Sequence, residues 1–238
     1  MGEQSTPTSV VVVVAHPDDV DFGAAGTVAT WVDAGTEVSY CIVTDGDAGG
    51  FDLDVPRGEI PGIRRAEQEA AAKVLGVSDV MFLGYPDGRV GPSLELRRDI
   101  SRIIRQVQPQ RVLCPSPERN FERIHASHPD HLAVGEATLC AVYPDARNAF
   151  AHPQLLVEGL GPHSVPEVWL AGSPSPDHFM DVTAMFERKV AALRCHVSQL
   201  VDEGAVAERV RAWMSATAEL GGLPAGTLAE AFQVVVTA

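Results

Sequence analysis

The chain has 238 residues, 45% of them hydrophobic and 21% charged, enough to bury about 70–75% of its unfolded surface around one core without disulfide or metal staples. The length and composition fit one soluble α/β domain spanning residues 1–238. A formal net charge of −14 repels phosphate backbones and anionic membranes, which argues against nucleic acid or a lipid surface as partner.

The N-terminal segment has no basic stretch, and its five-valine run is too short for a signal peptide or a membrane span. A cytoplasmic protein is the expectation. Residues 9–15 (SVVVVVA) are a β-branched run of the kind buried on both faces of a parallel sheet. A helix is predicted over 22–35, stopped by Gly35, then a second strand over 37–44 and a Gly/Asp/Pro loop over 45–62. Residues 62–76 read as a helix with Ile63, Ala66, Ala70 and Val74 inward and Gly76 past its end. A third strand over 79–83 leads into the turn GYPDG at 84–88. The spacing of Leu96, Ile100, Ile103, Ile104 and Val107 predicts a helix over 93–108, N-capped by Ser93. A fourth strand follows at 110–114. Alternation of this kind means βαβ units, right-handed crossovers and a mostly parallel sheet. Residues 144–178 are irregular, with one strand-like stretch at 166–171, and are expected to wall a pocket. Helices near 183–199 and 204–220 and a last strand, FQVVVT at 232–237, close the chain. Cys41, Cys114, Cys140 and Cys195 are widely spaced with no C-x-x-C pair, which predicts free thiols.

The first strand runs directly into His16-Pro17-Asp18-Asp19. Open parallel sheets bind ligands beyond the carboxyl ends of their strands, and this segment places an imidazole and two carboxylates there. A His and an Asp three residues on can converge on one ion as the backbone turns, with Pro17 stiffening the turn. Alone, the segment reads equally as a polar turn with an Asp cap. A second cluster, HASHPDH at 125–131, follows the fourth strand. Ser127 is placed to N-cap the next helix, with Pro129 in its first turn. His128 and His131 then face the same way, and His125 falls outside the pair. Three histidines in seven residues do not read as core packing. The two clusters together supply three N/O ligands and an open position for water, as a catalytic zinc needs. Hydrolysis further needs a base that is not itself a ligand. Asp18, beside Asp19, is the spare carboxylate. His128, oriented by Asp130, is placed to steady an oxyanion and protonate a leaving amine.

The run AHPDDVD at 15–21 with AGT at 25–27, followed by HPDH at 128–131, resembles the PIG-L/LmbE-like family of N-acetylglucosaminyl deacetylases and related amidases. The likeness continues through VTDG at 43–46, Arg64 and Glu67 as R-x-x-E, GYPDG, and Lys189 with HVSQ at 196–199. It implies a Rossmann-like three-layer fold with helices on both faces of the sheet. It implies one zinc per chain, held by His16, Asp19 and His131. Asp18 becomes the base, His128 the oxyanion stabiliser or acid, and Asp130 the partner behind it. Arg64 and Asp87 fall where relatives contact the sugar-like part of the substrate. Asp21 stands where many members have Glu, and Ala25 replaces the first Gly of a common pair.

The expected reaction is removal of an N-acyl group, the resemblance pointing to acetyl, from an amino-sugar-like small molecule. The alternatives are an amidase cleaving a larger thiol-conjugate amide and a catalytically silent metal- or ligand-binding protein. The spare Asp18 argues against the silent binder. A homo-oligomer is compatible with the sequence. DGDAGGFDLDVP lacks the acidic residues of a calcium loop at its fifth and twelfth positions. No G-x-G-x-x-G or G-x-S-x-G is present, so a dinucleotide fingerprint and a serine nucleophile are unsupported.

Overall fold

The five valines lie at the centre of the sheet, as their pattern predicts. β1 (Ser9–Val14) pairs in parallel with β2 (Glu37–Thr44) on one side and β4 (Arg111–Pro115) on the other, and all five valines are buried. The computed structural model describes residues 6–237. Adding β3 (Asp79–Tyr85), β5 (Glu167–Ala171), β6 (His178–Asp181) and β7 (Ala229–Val236) gives seven strands in the order β3-β2-β1-β4-β5-β7-β6. The first five are parallel, and β7 is antiparallel to both β5 and β6.

Successive side chains of a strand point to opposite faces, and β1 splits its valines accordingly. Val10, Val12 and Val14 pack with residues of α2 (Ala25–Asp33) and α3 (Ile60–Leu75). Val11 and Val13 pack with α4 (Leu94–Val107) and α5 (Pro129–Cys140). The result is the expected three-layer α/β architecture. α7 (Phe186–Leu193) and α8 (Glu203–Leu220) form a third cluster around Val190, Val206 and Met214. The remaining helices, α1 (Asp19–Gly23) and α6 (Gln154–Val157), are short. All four cysteines are free, two buried and two half-buried. No helix among the described residues is long and apolar enough to cross a membrane.

Strand order reverses between β1 and β4, and a parallel sheet opens a crevice at such a reversal. His16 to Asp19 leave β1 at this crevice, and α5 brings His131 to its other side. That second approach is close. A Cβ on Gly135 of α5 would meet the Pro115 carbonyl oxygen and lie 2.9 Å from the Pro117 nitrogen. Backbone cannot yield as a flexible side chain can, so Gly135→Ala is expected to cost about 1–3 kcal/mol, measured by urea unfolding.

Four sequence expectations need correction. The helix expected over 22–35 is two pieces, α1 and α2, broken at Ala24 (φ −148°). The break lets a distant side chain cap α2: Glu230 of β7 accepts from the Gly26 N–H at 2.9 Å and the Thr27 N–H at 2.7 Å. Gly26 is required there, because a Cβ would sit 2.7 Å from Val182 Cβ. α3 buries Arg64, Gln68, Ala71, Ala72 and Leu75, not the face of Ile63, Ala66 and Ala70; its inner face is polar where it meets the β1–α1 turn. His128, not Ser127, caps α5, its Nδ1 accepting from the Asp130 N–H at 3.2 Å. Ser127 instead accepts from the Asn120 N–H, bracing the preceding loop. Finally, the helix expected over 183–199 is α7 with single 3₁₀ turns on either side.

Candidate metal centre and active site

His16, Asp19 and His131 converge on one point. Asp19 Oδ1 lies 3.0 Å from His131 Nε2, His16 Nδ1 lies 3.3 Å from His131 Nε2, and His16 Nδ1 lies 3.5 Å from Asp19 Oδ2. A tetrahedral ion with ligand bonds of about 2.0–2.1 Å separates its donors by about 3.3 Å, so the donor set fits zinc in chemistry and spacing. The atoms facing away from that point are tied down. His131 Nδ1 lies 3.4 Å from the Ala126 carbonyl. His16 Nε2 meets Asp87 Oδ1 at 3.1 Å and Asp130 Oδ2 at 3.3 Å. Such outer partners fix ring orientation and free the inner nitrogen for a cation. A second grouping, His16 with Asp87 and His128, shares the same ring.

The charges are strongly coupled. Burial opposes a charge on His16, but Asp19 and Asp87 outweigh it and hold the ring up to about 11. Burial likewise opposes ionisation of Asp19, yet His131 and His16 hold it well below the carboxylate range. A proton and a metal compete for the same nitrogen, so an arrangement that favours a cation this strongly suits metal capture with proton release.

Asp18 occupies the left-handed region (φ 87°), a conformation costing a non-glycine residue about 1–3 kcal/mol. One face of α3 holds it there. Gln68 Oε1 accepts from the Asp18 N–H at 2.8 Å. Arg64, one turn earlier, donates to the Pro17 carbonyl and to Asp18 Oδ2, the latter at 3.2 Å. Burial pushes the Asp18 carboxyl up to about 7, with Arg64 pulling the other way. Behind Gln68 stands a buried chain: its Nε2 donates to Asp21 Oδ2 at 2.9 Å, which His196 Nε2 meets at 2.8 Å. Gln68 and Asp21 were not singled out as site residues by sequence. Their signal was the i, i+4 spacing of Arg64 and Gln68 on one helix face, obscured by the apolar periodicity beside it.

His128 stands edge-on to His16, ring centroids 4.9 Å apart. Its Nδ1 accepts a backbone N–H, so a neutral ring carries its proton on Nε2. Burial and His16 both hold its pKa below the usual imidazole value. The expectation that the Asp130 carboxylate orients His128 needs correction. That carboxylate accepts from the Gly88 and Val90 N–H groups and touches His16, because α5 turns it toward the 84–90 turn. Asp87 likewise spends one oxygen on His16, and Arg64 is buried under Asp18. Both are first of all supports of the centre. His152 pairs with Asp145, His163 with the Pro109 carbonyl, and His178 meets Trp169 edge-on. Lys189 pairs with Glu230 rather than reaching the centre.

A Rossmann-like sheet with two histidines and an aspartate at its switch point, and a spare carboxylate beside them, defines a candidate metallohydrolase. The chain belongs to the PIG-L family: the family model described as GlcNAc-PI de-N-acetylase matches residues 11–142. It is 32% identical to the diacetylchitobiose deacetylase of Thermococcus kodakarensis, over 82% of this chain and 71% of that one. A probable N-acetyl-alpha-D-glucosaminyl L-malate deacetylase 2 of Bacillus cereus is also 32% identical, over 80% of this chain and 83% of that one. Among solved structures, the N,N'-diacetylchitobiose deacetylase of Pyrococcus horikoshii superposes with a TM-score of 0.88 at 31% identity, over 97% of this chain and 84% of that one.

Proposed function

We propose that this protein is a zinc-dependent N-deacetylase of amino sugars. The observation that carries the reading is Asp18, a strained, half-buried carboxylate set beside the His16–Asp19–His131 cluster without belonging to it. Zinc at that cluster would supply a water of lowered pKa and a Lewis acid for the amide carbonyl.

Asp18 takes a proton from the attacking water onto its carboxylate, which Arg64 holds in place while Gln68 fixes the backbone N–H behind it. His128, kept neutral by burial, directs its Nε2–H at the oxygen on which charge develops. The protonated Asp18 then returns the proton to the departing nitrogen, so one carboxyl group serves as base and acid in turn. Asp87 and Asp130 keep His16 oriented throughout.

The relatives named above act on N-acetylated glucosamine compounds, which supports acetyl and an amino sugar here. The test is acetate release from N-acetylglucosamine, diacetylchitobiose and N-acetylglucosaminyl malate. Activity on at least one is expected, abolished by a chelator and restored by zinc. Full activity in chelated, metal-free protein overturns the reading.

A further inference from the structure

A cavity of about 340 Å³ opens beside Asp19 and His131, and neither Arg64 nor Asp87 lines it. It occupies the crevice beyond the carboxyl ends of β1, β4 and β5, closed by α8. Its wall is largely apolar, with Val20, Leu113, Ala171 and Met214 contributing. Its wall also carries Arg123, the guanidinium carbon standing 4.5 Å from the centre of the Trp213 ring.

Arg123 differs from the buried arginines. Arg64 is paired with Asp18, Arg111 with Glu167, and Arg105 is satisfied by backbone carbonyls including those of Asp145, Ala146 and Asn148. Arg123 is half-buried and makes no ion pair or side-chain hydrogen bond among the described residues. Burial pulls its guanidinium down from the ordinary value, with no carboxylate acting the other way. Its platform has an open valence as well: the Trp213 indole N–H is buried without a partner among the described residues. Desolvated cations are ordinarily paired. The acids on the same wall are engaged or remote: Asp19 in the ligand cluster, Glu230 on Lys189 and the start of α2, and Glu122 exposed outside ion-pair reach.

We propose that this cavity is an anion subsite, and that the natural substrate carries a carboxylate, remote from the scissile amide, which Arg123 receives as a two-pronged donor on the face of Trp213. This rests on the deacylase reading above and narrows its substrate class. The apolar residues that line the same cavity suit a short carbon chain linking amide and carboxylate. That carboxylate belongs either to the acyl group or to the group attached to the sugar.

Three substrates separate the possibilities: neutral N-acetylglucosamine, N-succinylglucosamine with the carboxylate on the acyl side, and N-acetylglucosaminyl malate with it on the other. One carboxylated substrate is expected to exceed the neutral one in kcat/KM, and which one does so identifies the source. Arg123→Met, which keeps the apolar stem on Trp213, is expected to lower that preference ratio about 10- to 100-fold, chiefly through KM, as loss of a charge-assisted pair does. Equal kcat/KM across the three, or a ratio unmoved by Arg123→Met, overturns the subsite while leaving deacylation intact. Should the wild-type protein cleave none of them and not diacetylchitobiose either, the deacylase reading falls, and calorimetric titration of the zinc-loaded protein still decides the subsite. Succinate binding tenfold or more tighter than acetate, with the difference lost in Arg123→Met, supports it. Equal affinities sink it.

Discussion

Asp18→Asn is expected to lower kcat by about 10²–10⁴-fold, the range associated with a positioned general base, while zinc content stays at one per chain. The substitution is nearly isosteric, and it removes the ability to accept a proton together with the charge that faces Arg64. Asparagine is among the residues that tolerate the left-handed region best, so the φ of 87° survives, as do the Gln68 bond to the backbone N–H and the Arg64 bond to the Pro17 carbonyl. Steady-state kinetics with metal analysis on the same preparation checks both halves. Undiminished kcat with metal bound would remove Asp18 from the chemistry. The wild type also has a directional pH dependence. A base works only when ionised, so kcat/KM rises with pH and levels off. Burial, opposed by Arg64, puts the midpoint at about 7, and a cation on the adjacent ligands favours the carboxylate, placing the acid limb at or below that value.

The buried parallel sheet was legible because a strand covered on both faces must be apolar throughout, and residues 10–14 are all valine. The candidate ligands were legible because histidine and aspartate at strand ends have few structural reasons to cluster. What failed did so where a partner lies far along the chain. The α1–α2 break depends on Glu230, some two hundred residues away. The inner face of α3 carries Arg64 and Gln68, polar residues buried only because Asp18 and Asp21 are there to receive them. Apolar periodicity assigns such residues to solvent, and so turns the helix the wrong way. The same limit governed Asp130. Its place beside His128 in the sequence suggested a pair, while the fold offers its carboxylate the N–H groups of Gly88 and Val90 and the ring of His16.

Glu230→Ala is expected to be the most destabilising single change considered, at about 3–5 kcal/mol, the cost of stranding one partner of a buried ion pair. Lys189 Nζ lies 2.7 Å from Glu230 Oε1, with the two side chains 0% and 2% exposed. Without the carboxylate, Lys189 keeps only the Phe22 carbonyl, and the first turn of α2 loses both side-chain acceptors of its N–H groups. Those N–H groups carry the positive end of the helix dipole, so the alanine leaves an ammonium and a helix terminus of like sign uncompensated. Lys189→Met is expected to be harmful for the converse reason, but less so, because Glu230 retains its two helical donors. The double variant should cost less than the sum of the two, since it leaves no stranded ammonium–carboxylate partner; groups in contact are non-additive in this way. Urea unfolding of the four proteins measures the coupling. Strict additivity would mean that the pair acts through shape alone and that α2 is capped by geometry rather than charge.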